Sequence, residues 1–163
     1  MKPHHKCDLE VGPGRIIQKL SEEEVQKLTN QWMDIYARNT QKKILTTYLW
    51  HTFSSGSYPS VCRREAELLY TQQITNEVVV LSNNCLSALV TDALPKNCNL
   101  MDYFVFPTNL AWTMAFTHED GWLGPYFAKH PNYDALVLQE IERGRAIQRK
   151  AQEIARAKQE GWL

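Results

Sequence analysis

The stretch from Trp112 to Phe127 constrains the fold of this chain more than any other. Trp112-Thr113-Met114-Ala115-Phe116 alternates large with small side chains, the period-two signature of a strand whose two faces differ. His118, Glu119 and Asp120 follow at once, then Gly121, Trp122 and a Gly124-Pro125 turn leading into Tyr126-Phe127. A titratable base beside two carboxylates at a strand end is where a site is to be sought, and the neighbouring aromatics can line a recess.

The elements upstream suit a sheet with helical cover. Ser21 and Glu24 form a capping box for a helix over Glu22 to Arg38, and Leu20 and Val25 occupy the hydrophobic-staple positions. Val25, Leu28, Trp32, Ile35 and Tyr36 then make one apolar stripe at helical spacing. Ile44 to Phe53 is rich in β-branched and aromatic residues, which favours a strand over a continued helix. Residues 54–59 form a loop, and Ser60 is placed to cap a helix from Val61 to about Gln72. Val78-Val79-Val80-Leu81 is an unbroken apolar run suited to a strand covered on both faces. Cys85 to Leu94 reads as a short helix ended by Pro95. Tyr103 to Phe106 and Ala111 to Thr117 read as paired strands, with Tyr126-Phe127 as an edge strand.

From Asp134 to about residue 160 a long helix is expected, its stripe thinning to isoleucine and alanine after Gly144. That portion projects into solvent or packs on a partner, so an oligomer through it is one reading. Residues 1–14 are expected as a flexible tail, and the whole of 1–163 as a single domain. The expected class is α+β: a mainly antiparallel sheet of four to five strands covered by helices, with a long C-terminal helix.

Hydrophobic residues make up 44% and charged residues 22%, ordinary globular values. Eighteen basic side chains cancel eighteen acidic ones, which argues against a general affinity for nucleic acid or an anionic membrane. The balance is uneven along the chain. Residues 76–131 hold Glu77, Asp92, Asp102, Glu119 and Asp120 against only Lys96 and Lys129. With no apolar signal region at Met1 to Lys6 and no long apolar run, a cytoplasmic location is expected. Cys7, Cys62, Cys85 and Cys98 stand far apart, as free thiols packed mainly as small apolar groups.

His118 can be read as a general base oriented by a carboxylate, or as one metal ligand completed by Glu119, His130 or His51. It can equally be structural, with Asp120-Gly121 as a turn. The spacing matches no helical His-x-x-x-His or zincin pattern, and adjacent strand residues face opposite ways unless the chain bends. His51, beside Trp50, is either a core neighbour or a ligand. Trp122 follows a turn glycine, and an exposed tryptophan there is a common anchor for protein binding. There is no P-loop, dinucleotide fingerprint, nucleophile elbow or Cys/His constellation. Arg63-Arg64 is neutralised by Glu65 and Glu67.

Leu49-Trp50-His51-Thr52-Phe53-Ser54, then Trp112, His118-Glu119-Asp120 and Gly124-Pro125-Tyr126-Phe127, resemble a family of small bacterial cytoplasmic proteins. That family is known only as a domain of unknown function, number four-two-seven-five. The resemblance covers about Ser21 to His130 and implies a compact protein of helices and strands, with Leu49 to Phe53 as a strand. It supplies no catalytic residues, and small proteins of this style often bind and neutralise a cognate toxin. The expected function is therefore non-enzymatic: an immunity- or antitoxin-like protein that binds a cognate protein through His118, Glu119, Asp120, Trp122 and Tyr126. The alternative is a small metal- or ligand-dependent enzyme, or a ligand-binding protein, using His118, Glu119 and His51. No cofactor, nucleic acid or membrane is called for by the leading reading.

Overall fold

The computed structural model describes residues 8–40 and 48–162. In chain order the first half runs β1 (Val11–Gly12), β2 (Ile16–Lys19), α1 (Glu22–Tyr36), α2 (His51–Ser54), β3 (Val61–Cys62) and α3 (Arg63–Thr71). The second half runs β4 (Val78–Ser82), β5 (Ala88–Thr91), β6 (Asn97–Cys98), β7 (Tyr103–Pro107), β8 (Trp112–Phe116), β9 (Tyr126–Lys129) and α4 (Tyr133–Gln159). Seven strands form one antiparallel sheet in the order β2-β5-β4-β7-β8-β9-β3, and β1 pairs separately with β6.

The central strands explain this layering. β4 and β7 are buried along their whole length, so alternate residues must be covered from opposite sides. Val79, Leu81, Phe104 and Phe106 face one core with Val25, Trp32 and Tyr36 of α1 and with Trp50 and Phe53. Val78, Val80, Val105, Trp112 and Met114 face the other, against Ala66 and Tyr70 of α3 and Tyr133, Leu136 and Val137 of α4. The capping box forms as the sequence implies, Ser21 Oγ accepting from the Glu24 amide at 3.2 Å and Glu24 Oε2 from the Ser21 amide at 2.7 Å. Trp32, fully buried, donates its indole N–H to Thr113 Oγ1 at 3.0 Å and ties α1 to the middle of the sheet.

Several expectations change. The sheet has seven strands rather than four to five. Ala88–Thr91, read as helix, is a strand paired with Val78–Leu81, because a short apolar run has no period of its own and the partner strand decides it. His51–Ser54 is one helical turn instead of strand, and residues 41–47 of that reading lie outside the described residues. Val61–Cys62 is a short strand, so α3 begins at Arg63 with no side-chain cap from Ser60. That strand lies outside β9, and Tyr126-Phe127 is therefore internal. In the N-terminal stretch expected as a tail, Leu9 is buried and Val11–Gly12 pairs with Asn97–Cys98; residues 1–7 lie outside the described residues. Of the described cysteines, Cys62 is exposed, while Cys85 and Cys98 are partly buried.

The C-terminal helix docks by its first half only. Glu140 is buried and accepts from the side-chain and main-chain N–H groups of Asn76 at 3.0 and 3.4 Å. The helix comes so close to Asn76 that a Cβ at Gly144 would lie 2.6 Å from Asn76 Oδ1. Past Gly144 the residues are exposed almost without exception. Among the described residues no helix is long and apolar enough to cross a membrane.

Two outcomes follow from these burials. Trp112, buried and stacked on Phe127 at 5.5 Å, should cost roughly 3–5 kcal/mol when changed to Ala, measured by urea denaturation. Phe116 shares that face but is half-buried, so Phe116→Ala should cost less. Equal costs would misplace the second core. Truncation after Arg149 should leave a cooperatively unfolding domain with a Tm within a few degrees of the full chain. Loss of folding would place Ile154 in a core.

Candidate functional site

The pairing of β7 with β8 builds the site. Tyr103 lies opposite Phe116, so continuing the register by one residue sets Asp102 against Thr117, beside His118. Asp102 Oδ1 accepts from the His118 amide at 3.2 Å and from His118 Nδ1 at 2.9 Å. The same oxygen accepts from the indole N–H of Trp50 at 3.1 Å. An ionised carboxylate only accepts hydrogen bonds, which assigns a proton to Nδ1. Nε2 then lies 3.9 Å from Glu119 Oε1, within ion-pair reach but too far for a hydrogen bond. The hydrogen bond that His118 donates to Asp102 is the main reason its pKa rises above the ordinary value. Partial desolvation opposes it, and the negative charges of Asp102, Glu119 and Asp120 reinforce it.

Aromatic rings close around this pair. The centroids of Tyr48 and Trp50 lie 4.9 and 5.9 Å from the His118 ring. His51 lies 4.5 Å from Trp50 and 5.6 Å from Tyr48, so both histidines contact the same two rings. Beneath them Tyr126 stacks on Trp50 at 6.0 Å. Burial raises the pKa of its hydroxyl. A recess of about 240 Å³ with a mixed lining opens alongside, among Tyr48, Asn83, Asn84, Leu100, Met101 and Asp102.

The loop after His118 is held from within. The Glu119 carbonyl accepts from the amides of Trp122, Leu123 and Gly124 at 3.1, 3.0 and 3.3 Å. Asp120 Oδ1 turns back to accept from the amide and hydroxyl of Thr117 at 3.0 and 3.1 Å. Desolvation of that carboxyl group raises its pKa, and the Thr117 donors work the other way. Gly124 must be glycine, since a Cβ there would lie 2.7 Å from Thr117 Oγ1 and 2.8 Å from Asp120 Oδ1. From outside, Arg63 donates its Nε–H to the Trp122 carbonyl at 2.8 Å and its amide to the Pro125 carbonyl at 2.9 Å. Trp122 itself is 68% exposed.

The residues singled out from the sequence separate into three groups. His118, Glu119 and His51 converge, because the chain bends after Phe116 and so escapes the alternation of a strand. Trp122 stands at the surface, Asp120 is a turn-forming side chain, and Tyr126 is buried under the cluster. His130 follows β9 at the far end of β8, where its amide donates to Ala111, away from His118. Among the described residues no three His, Cys, Asp or Glu side chains are grouped to hold a metal ion. Asp102, Tyr48 and Arg63 were not legible as site residues. Only the β7–β8 register could have pointed to Asp102.

Residues 15–127 match the family described as Domain of unknown function (DUF4275). The chain belongs to that family. The match spans the sheet from β2 into β9 and includes Trp50, Asp102 and the His118–Gly124 loop, so the whole site lies inside the DUF4275 region. The β1 strand and α4 lie outside it. No curated protein and no solved structure matches the chain.

The raised His118 pKa makes stability depend on pH. A pair that favours the protonated histidine contributes fully below the unfolded value of about 6.5 and is lost as pH rises through the higher folded value. The difference in unfolding free energy between wild type and His118→Gln should therefore be largest below about pH 6.5 and shrink as pH rises above it in urea titrations. A difference that stays constant would show that folding leaves the His118 pKa unshifted, and one that grows with pH would show that the fold favours the neutral imidazole.

Proposed function

We propose that this is a non-enzymatic partner-binding protein, in the manner of an immunity or antitoxin protein that neutralises a cognate bacterial toxin in the cytoplasm. The Glu119–Leu123 loop is its contact surface. The observation that carries this reading is Trp122, an indole 68% exposed on a loop whose backbone is fixed by its own turn and by Arg63. Large apolar side chains on a pre-ordered backbone bind with little entropy lost, and tryptophan is among the most frequent interface anchors. Leu123 is exposed beside it, and Glu119 and His118 stand at the polar rim. Glu119 supports a partner that presents basic groups, with charge acting mainly on association rate and its salt dependence.

A second reading rests on one observation. Asp102, which lines the recess, also orients His118 through Nδ1, the arrangement of a histidine that relays a proton or holds a ligand through Nε2. Glu119 lies 3.9 Å from Nε2, and His51 contacts the same Tyr48 and Trp50 rings as His118.

Binding to the product of the adjacent gene, measured by calorimetry, separates the two readings. Trp122→Ala should weaken the complex by at least about 2 kcal/mol, roughly thirtyfold in Kd, without altering the Tm. Glu119→Lys should slow association at low salt. Asp120 is left intact in this test, because its loss would unravel the loop. Unchanged affinity in folded Trp122→Ala moves the interface elsewhere. Stoichiometric metal in the purified protein that disappears in His118→Ala would favour the second reading.

A further inference from the structure

The projecting half of α4 is a second surface, independent of the Glu119–Leu123 loop. Tyr133, Val137, Glu140, Gly144, Ile147, Ala151, Ile154 and Lys158 recur at alternating steps of four and three residues, the spacing of a coiled-coil seam. The first half of that seam is already an interface. Tyr133 and Val137 pack on the second core, and Glu140 and Gly144 meet Asn76. The second half continues along the same face, where Ile147 borders a recess beside Ile16 and Ile17 of β2 and Ala151 and Ile154 are exposed among the described residues. Ile147 is 51% exposed and Ile154 42% exposed, while Ala151 and Ala155 leave room for a close approach. At roughly 1.5 Å per residue, residues 145–160 extend about 24 Å beyond the docked portion.

The charges beside this seam have one sign. Lys150 flanks its free half and Lys158 occupies it, Arg143 being paired with Glu77 and Glu140, whereas Glu142, Glu153 and Glu160 fall on the other side of the helix. A second copy is a poor occupant. In a parallel pair Lys158 would meet its own counterpart, and in an antiparallel pair centred on Ala151 and Ile154 it would be set against Ile147, with no acid to neutralise it in either case. A lipid surface is also poor, because Ile147 and Ile154 are the only large apolar side chains in residues 145–160. We infer that residues 145–160 of α4 dock an amphipathic helix of a partner protein whose apolar seam is flanked by acidic side chains. The partner helix extends the existing seam and brings carboxylates to Lys150 and Lys158.

The full chain is titrated into two labelled synthetic helical peptides with the same leucine and isoleucine seam, one flanked by glutamate and the other by lysine, with fluorescence anisotropy as readout. The glutamate peptide should bind and the lysine peptide should not. Binding should fall at least about tenfold on Ile154→Asp, a change at an exposed residue that should leave the Tm unaltered. The double change Lys150→Glu with Lys158→Glu should reverse the preference between peptides. Equal binding of both peptides, or none of the glutamate peptide, overturns the inference. So does a wild-type dimer in size-exclusion chromatography that Ile154→Asp makes monomeric, which would make a second copy the occupant. Binding to vesicles rich in phosphatidylserine that Ile154→Asp abolishes would overturn it in favour of a membrane.

Discussion

The two-sided apolar character of β4, β7 and β8 is the constraint on which the rest of the molecule depends. A strand of this kind cannot lie on the surface of a two-layer fold, because one of its faces would stay wet. α1 with the Trp50–Phe53 segment therefore covers one face, and α3 with the start of α4 covers the other. The connections follow from that need, and three layers result. Trp32 and Tyr36 fix α1 further through hydrogen bonds to Thr113 and to the Leu110 carbonyl, so the cover is oriented as well as apolar.

The same layering creates the site. Covering the first face brings residues 48–53 over the end of the β7–β8 hairpin, where the strands have just stopped and their polar neighbours converge. Asp102 becomes the junction, accepting from His118 on one side and Trp50 on the other. The hydrogen bond to this carboxylate is the main reason the His118 pKa is raised. The aromatic rings around it form the upper edge of the core, and one of them, Tyr48, also lines the recess.

The 119–124 loop and the end of α4 share one property. Each presents apolar side chains on a backbone that the fold has already ordered, the loop by its turn and by Arg63, the helix by its docked first half. A flexible tail carrying the same residues would have to lose that freedom on binding. Their charges differ: Glu119 lies beside the loop, whereas Lys150 and Lys158 accompany the helix seam. Under the two proposals, the surfaces would select partners of different chemistry, or two parts of one partner.

Local patterns in the sequence determined the elements whose signals are complete within one segment. Ser21 and Glu24 set the start of α1, period-two alternation set Trp112, Met114 and Phe116 on one face, and the apolar run at Val78 announced a strand buried on both sides. The family too was readable from short motifs around Trp50, His118 and Gly124. Ala88–Thr91 and Val61–Cys62 were not readable, since a strand of two to four residues exists only because a neighbour offers its backbone groups. For the same reason the partnership of His118 with Asp102 and Trp50, at sequence separations of 16 and 68 residues, was decided by register and packing alone. The acidic run His118-Glu119-Asp120 named the place. Only the tertiary structure sorted its members into a carboxylate-paired histidine, a rim carboxylate and a turn-former, because burial and hydrogen-bond partners are properties of the folded chain.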